Sequence, residues 1–266
     1  MSLPDMAKEF FTIAASKDVL GYIDEAGRKA GFARGQAFED FLLMYRCNLA
    51  GATMEDEYLQ AVHKGYEKGR PGKRGIDAMT KAGQAVTAFM TENDEDILGD
   101  IFQGGITYGE GGQYFTPESV VQMMAALSIG DVEDPHHVKT VCDPACGSGR
   151  FLISIGAKHR HWEFTGQDID HRCVQMTAIN MGLRGMHGYA VWQNTLTLEV
   201  HRVYKIGLHI RGPRPGVIRD LPIDQSPFNY AAMKQRPPET PTIADRPSSP
   251  EEPSGPTKQM NLFELD

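Results

Sequence analysis

The sequence predicts an α/β fold in which a helical region precedes an alternation of strands and helices. Apolar side chains recur at helical spacing between Phe38 and Leu49. Further along, a strand-like stretch at 138–142 leads through the turn DPACGSG, Asp143 to Gly149, into a helix-like stretch at 151–157. Alternation of this kind is typical of a parallel sheet covered by helices.

The first hundred residues predict a helical domain. Phe38, Leu42 and Tyr45 lie on one face of a first helix, and Thr53 with Asp56 forms a capping box for a second helix. A third helix is expected where Ile76, Met79, Val86 and Phe89 recur. We therefore expect a helical domain over residues 1–105, followed by an α/β domain over residues 106–230.

The glycine turn indicates a ligand site. Gly147 and Gly149 let the backbone approach a ligand with no Cβ between them, and Ser148 can assist the start of the next helix. A phosphate loop would need Gly-Lys-Ser/Thr where Arg150 follows, and a dinucleotide fingerprint would need a glycine where Leu152 stands. A nucleoside ligand without a pyrophosphate fits better.

Two polar residues after later strands support a nucleoside site. Asp168, in GQDID, lies about twenty residues after the glycine turn, where an acid can accept both ribose hydroxyls. Asn194, in WQNTL, follows the apolar stretch 189–192 and could reach an adenine ring. The turn, the ribose acid and the amide occur in the order that a nucleoside site requires.

Together with GQYFTPESV, Gly112 to Val120, these motifs resemble the S-adenosylmethionine (SAM) site of N6-adenine DNA methyltransferases. The resemblance is closest to the methylation subunits of type I restriction-modification systems and covers about residues 35–200. It implies a partial Rossmann-like SAM-dependent methyltransferase fold, with SAM as the cofactor. The contacts that it implies are Tyr114, Phe115, Thr116, Pro117, Asp143, Pro144, Ala145, Gly147, Gly149, Asp168, Ile169 and Asn194.

The family's base-holding motif, Asn/Asp-Pro-Pro-aromatic, does not occur in this sequence. Its place is taken by QSPF, where we expect Gln225, Pro227 and Phe228 to act on the flipped base. The favoured function is a SAM-dependent DNA adenine-N6 methyltransferase with Gln225 and Phe228 as base-holding residues. Either a partner chain completes its site, or the fold is a cofactor-binding half that no longer transfers methyl groups efficiently. The alternatives are a catalytically inactive SAM- and DNA-binding module and a methyltransferase acting on RNA or on protein glutamine.

A basic stretch between Glu199 and Asp220 contains no acid, which favours contact with DNA phosphates. Its prolines and glycines indicate a loop. The net charge of −8 argues against a chain that coats nucleic acid non-specifically, but it does not exclude a local basic groove. A second basic loop at 67–75 fits either DNA contact or a solvated surface. The predicted DNA contacts of the longer stretch are Arg202, Lys205, Arg211, Arg214 and Arg219.

Residues 231–266 form a Pro-rich tail with little to bury, for which we expect disorder. At its end, Gln259, Leu262 and Phe263 resemble the peptide that binds the bacterial sliding clamp. Two adjacent apolar anchors on a flexible linker can insert into a preformed pocket. The replication clamp is therefore an expected partner.

Composition sets further expectations. No apolar run reaches the length of a membrane span and no signal segment begins the chain, so we expect a soluble, cytoplasmic protein without a membrane partner. We expect the four cysteines to be reduced thiols. Cys142 and Cys146 have a spacing that is not a standard zinc knuckle, and no metal site is expected.

Overall fold

The computed structural model describes residues 10–107, 116, 118–129 and 137–230. The helices are α1 (Ala15–Ala30), α2 (Arg34–Leu49), α3 (Glu55–Val62), α4 (Gly75–Glu92), α5 (Ile97–Ile101), α6 (Glu118–Ile129), α7 (Arg150–Gly156) and α8 (His171–Leu183). A π-helical turn, Phe102–Ile106, continues α5, and a 3₁₀ turn, Ile223–Gln225, follows the last strand. The strands are β1 (Thr140–Asp143), β2 (Glu163–Asp168), β3 (His187–Asn194), β4 (Glu199–His209) and β5 (Gly216–Leu221).

The strands form one mixed sheet in the order β1-β2-β3-β4-β5. β1, β2 and β3 are parallel, whereas β4 runs antiparallel to both β3 and β5. Because β1 to β3 run in one direction, their carboxyl ends meet at one edge of the sheet. The α/β fold predicted from the alternation of strands and helices is confirmed.

Helix α8 joins the helical region to the sheet. Its residues Val174 and Ala178 belong to the buried cluster that contains Phe164 of β2 and Ala190 of β3. Its residue Met176 belongs instead to the cluster formed by α1, α2, α4 and α5. One helix therefore packs on both layers, which explains why its side chains are almost all buried. The predicted boundary at residues 105 and 106 stays a prediction.

Two local predictions were wrong. Thr53 does not cap a helix: its hydroxyl donates to the carbonyl of Ala50 at 2.9 Å, and α3 begins after Met54 with no side-chain cap. The basic stretch is mostly strand, because Ile206 and Ile218 bury their side chains in the sheet's core and only residues 210–215 form a loop. The aliphatic side chains outweighed the loop signal of the nearby prolines.

Several predictions lie outside the described residues. These are the tail at 231–266 with its clamp-binding peptide Gln259, Leu262 and Phe263, and the contacts Tyr114, Phe115 and Pro117. Within the described part of the chain, no helix is long and apolar enough to cross a membrane.

Candidate cofactor site

The predicted cofactor residues converge at the carboxyl edge of β1, β2 and β3. Asp143 ends β1 and Asp168 ends β2, while Asn194 ends β3. The register pairs Asp143 with Gly166 and Asp168 with Trp192, so the strand ends are adjacent and slightly staggered. The edge therefore presents two carboxylates and an amide beside the glycine turn.

The glycine turn has the backbone shape that only glycine adopts readily. Gly147 has a φ of 53° and Gly149 a φ of 90°, both in the left-handed region. A Cβ built on Gly149 would lie 3.0 Å from the hydroxyl oxygen of Thr177, so the turn is also closely packed. The sequence prediction of a sharp, Cβ-free turn is thereby supported by geometry.

Hydrogen bonds tie this turn to its neighbours. The N–H of Gly147 donates to Oδ2 of Asp168 at 2.9 Å, and the N–H of Cys146 donates to the carbonyl of Gln167 at 2.9 Å. The hydroxyl of Thr177 donates to the carbonyl of Gly147 at 2.9 Å. The turn is thus bonded to β2 and to α8.

The two carboxyl groups at the site are partly buried close to each other. Burial raises the pKa of Asp143, and the negative charge of Asp168 raises it further. Burial also raises the pKa of Asp168, although backbone N–H groups of Asp170 and Gly147 partly offset this effect. Carboxylates held at such a cost are typical of functional sites.

The residues present fit a nucleoside with a ribose diol. Each carboxylate oxygen of Asp168 accepts one backbone hydrogen bond, from Gly147 or from Asp170, and keeps acceptor capacity for a ribose hydroxyl. Next to it, the side chain of Ile169 is 66% exposed and offers an apolar surface to a base. These are the groups that the adenosine part of SAM requires.

The remaining predicted contacts are placed as follows. Oδ1 of Asn194 accepts from the N–H groups of Leu196 at 3.0 Å and Thr197 at 3.3 Å, so this oxygen holds the turn after β3. Only the amide nitrogen of Asn194 is then suited to a ligand. Pro144, Ala145 and Thr116 are exposed.

An aromatic cluster beside the site was missed by sequence reasoning. The ring of His171 stacks on Trp192 at 4.4 Å, and Nε2 of His171 shares a hydrogen bond of 2.7 Å with the hydroxyl of Tyr204. Burial, together with the charges of Arg46 and Arg202, lowers the pKa of His171 to about 4, so its ring is neutral at pH 7. These contacts join α8, β3 and β4, and no local pattern reveals such pairs.

Ser148 has a different role from the one predicted. Helix α7 has Gly149 at its N-cap position without a side-chain cap, so Ser148 does not start the helix. Instead, the hydroxyl of Ser148 donates a hydrogen bond to the carboxylate of Asp96. Asp96, which the sequence analysis did not single out, therefore contacts the cofactor turn.

The predicted base-holding residues follow β5, the strand at the opposite edge of the sheet from β1. Gln225 is exposed at the 3₁₀ turn after β5, and Pro227 is also exposed. Phe228 is 9% exposed and packs with Val191 and Val203, its ring at 5.3 Å from that of Tyr189. A stacking role for Phe228 would require its ring to leave this cluster.

The predicted DNA contacts divide into paired and exposed groups. Arg202 is held by Glu57 at 2.8 Å and by Asp220 at 2.7 Å, and Lys205 lies 3.8 Å from the ring centroid of Tyr189. These contacts argue against a phosphate role for Arg202 and Lys205. Arg219 is half-buried opposite Lys205, whereas Arg211 and Arg214 are exposed on the loop 210–215.

Comparison with known proteins finds similarity over the middle of the chain. Residues 93–213 match the model of the N-6 DNA methylase family. The type I restriction enzyme MpnII methylase subunit of Mycoplasma pneumoniae is 29% identical over 106 residues, which are 36% of this chain and 19% of that protein. The MjaVIII methylase subunit of Methanocaldococcus jannaschii is 22% identical over 210 residues, 69% of this chain and 33% of that protein.

Among solved structures, a type I restriction-modification methyltransferase subunit from Streptococcus thermophilus aligns with a TM-score of 0.40 and 14% identity. The alignment covers 66% of this chain and 57% of that chain. The curated relatives are longer, and this chain spans between a fifth and a third of their length. The glycine turn, Asp168 and Asn194 all lie within the residues 93–213 that match the N-6 DNA methylase family model, and this part of the chain is similar to methylation subunits of type I restriction enzymes.

Proposed function

We propose that this chain binds SAM at the carboxyl edge of β1 to β3 and takes part in the N6-methylation of adenine in DNA. The observation that carries the proposal is the bond between the N–H of Gly147 and the carboxylate of Asp168. It brings a Cβ-free turn and a ribose-binding acid together, as a nucleoside cofactor requires.

The chain's own residues would bind and orient the cofactor. Asp168 accepts hydrogen bonds from the ribose hydroxyls, and Ile169 covers one face of the adenine. Asn194 can donate its amide N–H to the adenine edge, while Asp143 lies at the glycine turn. Bound SAM supplies the methyl group that the adenine amine attacks.

We further propose that a partner subunit supplies groups that hold the target base. The sequence lacks the motif Asn/Asp-Pro-Pro-aromatic, and the ring of Phe228 is packed against Val191 and Val203. The relatives are by name subunits of larger enzymes, and this chain spans at most a third of those two relatives. Placement errors of about 1 Å can cost about a hundredfold in rate. A site that holds the base with a substitute motif in a displaced position would therefore transfer the methyl group slowly.

Calorimetry with SAM tests the cofactor part of the proposal. The chain should bind SAM, and Asp168→Ala should abolish binding because it removes the ribose acceptor. Asp224→Ala, which changes an exposed acid on the 3₁₀ turn, is the matched control and should bind like the parent. Equal affinity of the Asp168→Ala variant and the parent would contradict the proposal.

Transfer of labelled methyl from SAM to DNA tests the catalytic part. We expect N6-methyladenine when the chain is assayed with its partner subunit, and little product without it. Absence of product in both assays, with SAM binding intact, would favour a second candidate, an inactive SAM- and DNA-binding module.

The burial of Phe228 is the observation that favours this second candidate. Its recruitment to the replication clamp would depend on Leu262 and Phe263. Changing both to Ala should then abolish clamp binding in a pull-down with purified clamp. Unchanged binding would exclude recruitment to the clamp through these two residues.

A further inference from the structure

Asp96 is a buried acid that connects the helical region to the cofactor turn. It is 6% exposed and immediately precedes α5, where its Oδ1 accepts from the N–H of Gly99 at 2.9 Å. Beyond this cap, its carboxylate accepts hydrogen bonds from three side chains: Ser148, Arg150 and Asn180.

All three side chains belong to the cofactor turn or to the helices that follow β1 and β2. Ser148 lies between the two left-handed glycines, and Arg150 begins α7, where its Nε donates to Oδ2 of Asp96 at 2.9 Å. The amide of Asn180, on α8, donates both to Asp96 at 2.9 Å and to the carbonyl of Ser148 at 2.8 Å. Ser148 is therefore held at its hydroxyl and at its carbonyl by one connected set of bonds.

The lack of a side chain at Gly99 lets Asp96 lie close to the cofactor turn. A Cβ built on Gly99 would overlap Oδ2 of Asp96 and would lie 2.5 Å from the hydroxyl of Ser148. Any larger residue at position 99 must therefore displace this contact. The guanidinium of Arg184 also donates to the carbonyls of Asp94 at 3.0 Å and Glu95 at 2.9 Å, which fixes the segment before Asp96 to α8.

We propose that Asp96 is a positioning residue for the cofactor: it holds Ser148, and through it the turn Gly147 to Gly149, in the conformation that binds SAM. Hydrogen bonds to a charged acceptor are stronger than neutral ones, and burial excludes water that would compete for the donors. The helical region would thus set the affinity of a site formed by residues of the sheet. This inference rests on the proposed function, since it concerns the same SAM site.

Asp96→Asn tests the inference with little change in shape. The amide nitrogen cannot accept, so at least one of the donors Ser148, Arg150 and Asn180 loses its partner. Losing one bond to a charged acceptor corresponds to about a tenfold to hundredfold change in affinity when the turn can no longer hold its place. We expect SAM to bind more weakly by that factor in calorimetry, at a temperature where circular dichroism shows the variant folded.

Asp100→Asn is the matched control. Asp100 is buried in α5, the helix that Asp96 caps, and also accepts four hydrogen bonds, from Thr12, Ile13 and Ser16, but none from the cofactor turn. It should lower the free energy of unfolding without a comparable loss of SAM affinity. If Asp96→Asn and Asp100→Asn weaken SAM binding equally, or neither does, the positioning role is refuted.

A double-mutant cycle keeps the inference falsifiable if one variant folds poorly. Ser148→Ala alone should weaken SAM binding, and it should add little in the Asp96→Asn background because the bond is already broken. Fully additive effects on SAM affinity would contradict the proposal. If the parent chain binds no SAM at all, the proposed function fails instead, so the two failures are distinguishable.

Discussion

At the scale of single residues, the site is a place where function and stability conflict. Asp143 and Asp168 are partly buried near each other, and burial raises the pKa of both. A raised pKa in the folded state means that the protonated form fits the fold better than the charged form. At neutral pH each carboxylate is therefore kept at a cost in stability, which is consistent with the cofactor-binding role that we propose for them.

Asp143→Asn should raise the free energy of unfolding at pH 7 and weaken SAM binding. The amide removes a charge near Asp168, yet its oxygen can still accept the N–H of Ala145 that now bonds Asp143 at 3.1 Å. In the parent, the stabilising effect of protonated Asp143 is fully present below a pH of about 3.8. It is lost as the pH rises through the raised pKa of Asp143. The gain of the variant should therefore disappear in acid.

Urea unfolding at pH 4 and pH 7 measures this difference. Asp224→Asn, at an exposed acid, should change stability little at either pH. A variant that is less stable than the parent at pH 7 would show that the carboxylate of Asp143 is not held at a cost.

At the scale of elements, an ion-pair network joins the α2–α3 helical pair to β4. Glu57 of α3 accepts from Arg46 of α2 at 2.6 Å and from Arg202 of β4 at 2.8 Å. The guanidinium groups of Arg46 and Arg202 also lie over the ring of Tyr204, at 4.6 and 5.2 Å from its centroid. Burial would raise the pKa of Glu57, but hydrogen bonds from Arg202 and the charge of Arg46 lower it to about 2.

Glu57→Gln should destabilise the protein by about 2 kcal/mol at pH 7, because Arg46 is fully buried and would lose its charged partner. We expect a smaller loss of stability than for a fully buried ion pair, because the side chain of Glu57 is 26% exposed. Since the folded pKa is depressed, the contribution is present above pH 4.5 and is lost as pH falls toward about 2. Urea titrations across this range should show the parent and the variant converging in acid.

Glu25→Gln is the control for an exposed pair. Glu25 bonds Lys29 at 2.5 Å on the surface of α1, where solvent screens the charges. Its loss should scarcely change the free energy of unfolding. Equal effects of the two substitutions would contradict the importance of the buried network.

Which elements could be read from the sequence depended on how local their signals are. The periodic apolar residues predict the helix at 75–92. The two glycines of the turn, Gly147 and Gly149, predict its sharp, left-handed backbone. The strands β4 and β5 were misread because the prolines in the loop between them and their own basic residues suggest a loop. Their burial against α8 is a tertiary effect that a local pattern does not contain.

At the scale of the whole molecule, the loop 210–215 is an exposed basic surface that we propose as a contact for DNA phosphates. It rests on the turn between α2 and α3, where a Cβ on Gly51 would lie 2.7 Å from the carbonyl oxygen of Arg214. This close approach supports the loop's backbone, while the side chains of Arg211 and Arg214 stay exposed. The helical region and the sheet thus present this basic loop jointly.

Changing both Arg211 and Arg214 to Gln should reduce the salt dependence of DNA binding. Each phosphate contact contributes about 0.9 to the slope of log affinity against log salt, so the slope should fall by about 2. Fluorescence anisotropy with duplex DNA at several salt concentrations measures it. Lys81→Gln, at an exposed position of α4, should leave the slope unchanged. An equal slope in the arginine variant would exclude phosphate contact by the loop.

The sequence by itself determined the resemblance to N6-adenine DNA methyltransferases, the glycine turn and the order of the strand-end residues Asp143, Asp168 and Asn194, because these depend on residue type and local spacing. Only the tertiary structure revealed that Asp96 holds Ser148, that Glu57 binds Arg202, and that Phe228 is packed against Val191. Each of these contacts joins residues distant in the chain. Such contacts form because burial and hydrogen bonding in the folded core select partners that no local sequence pattern specifies.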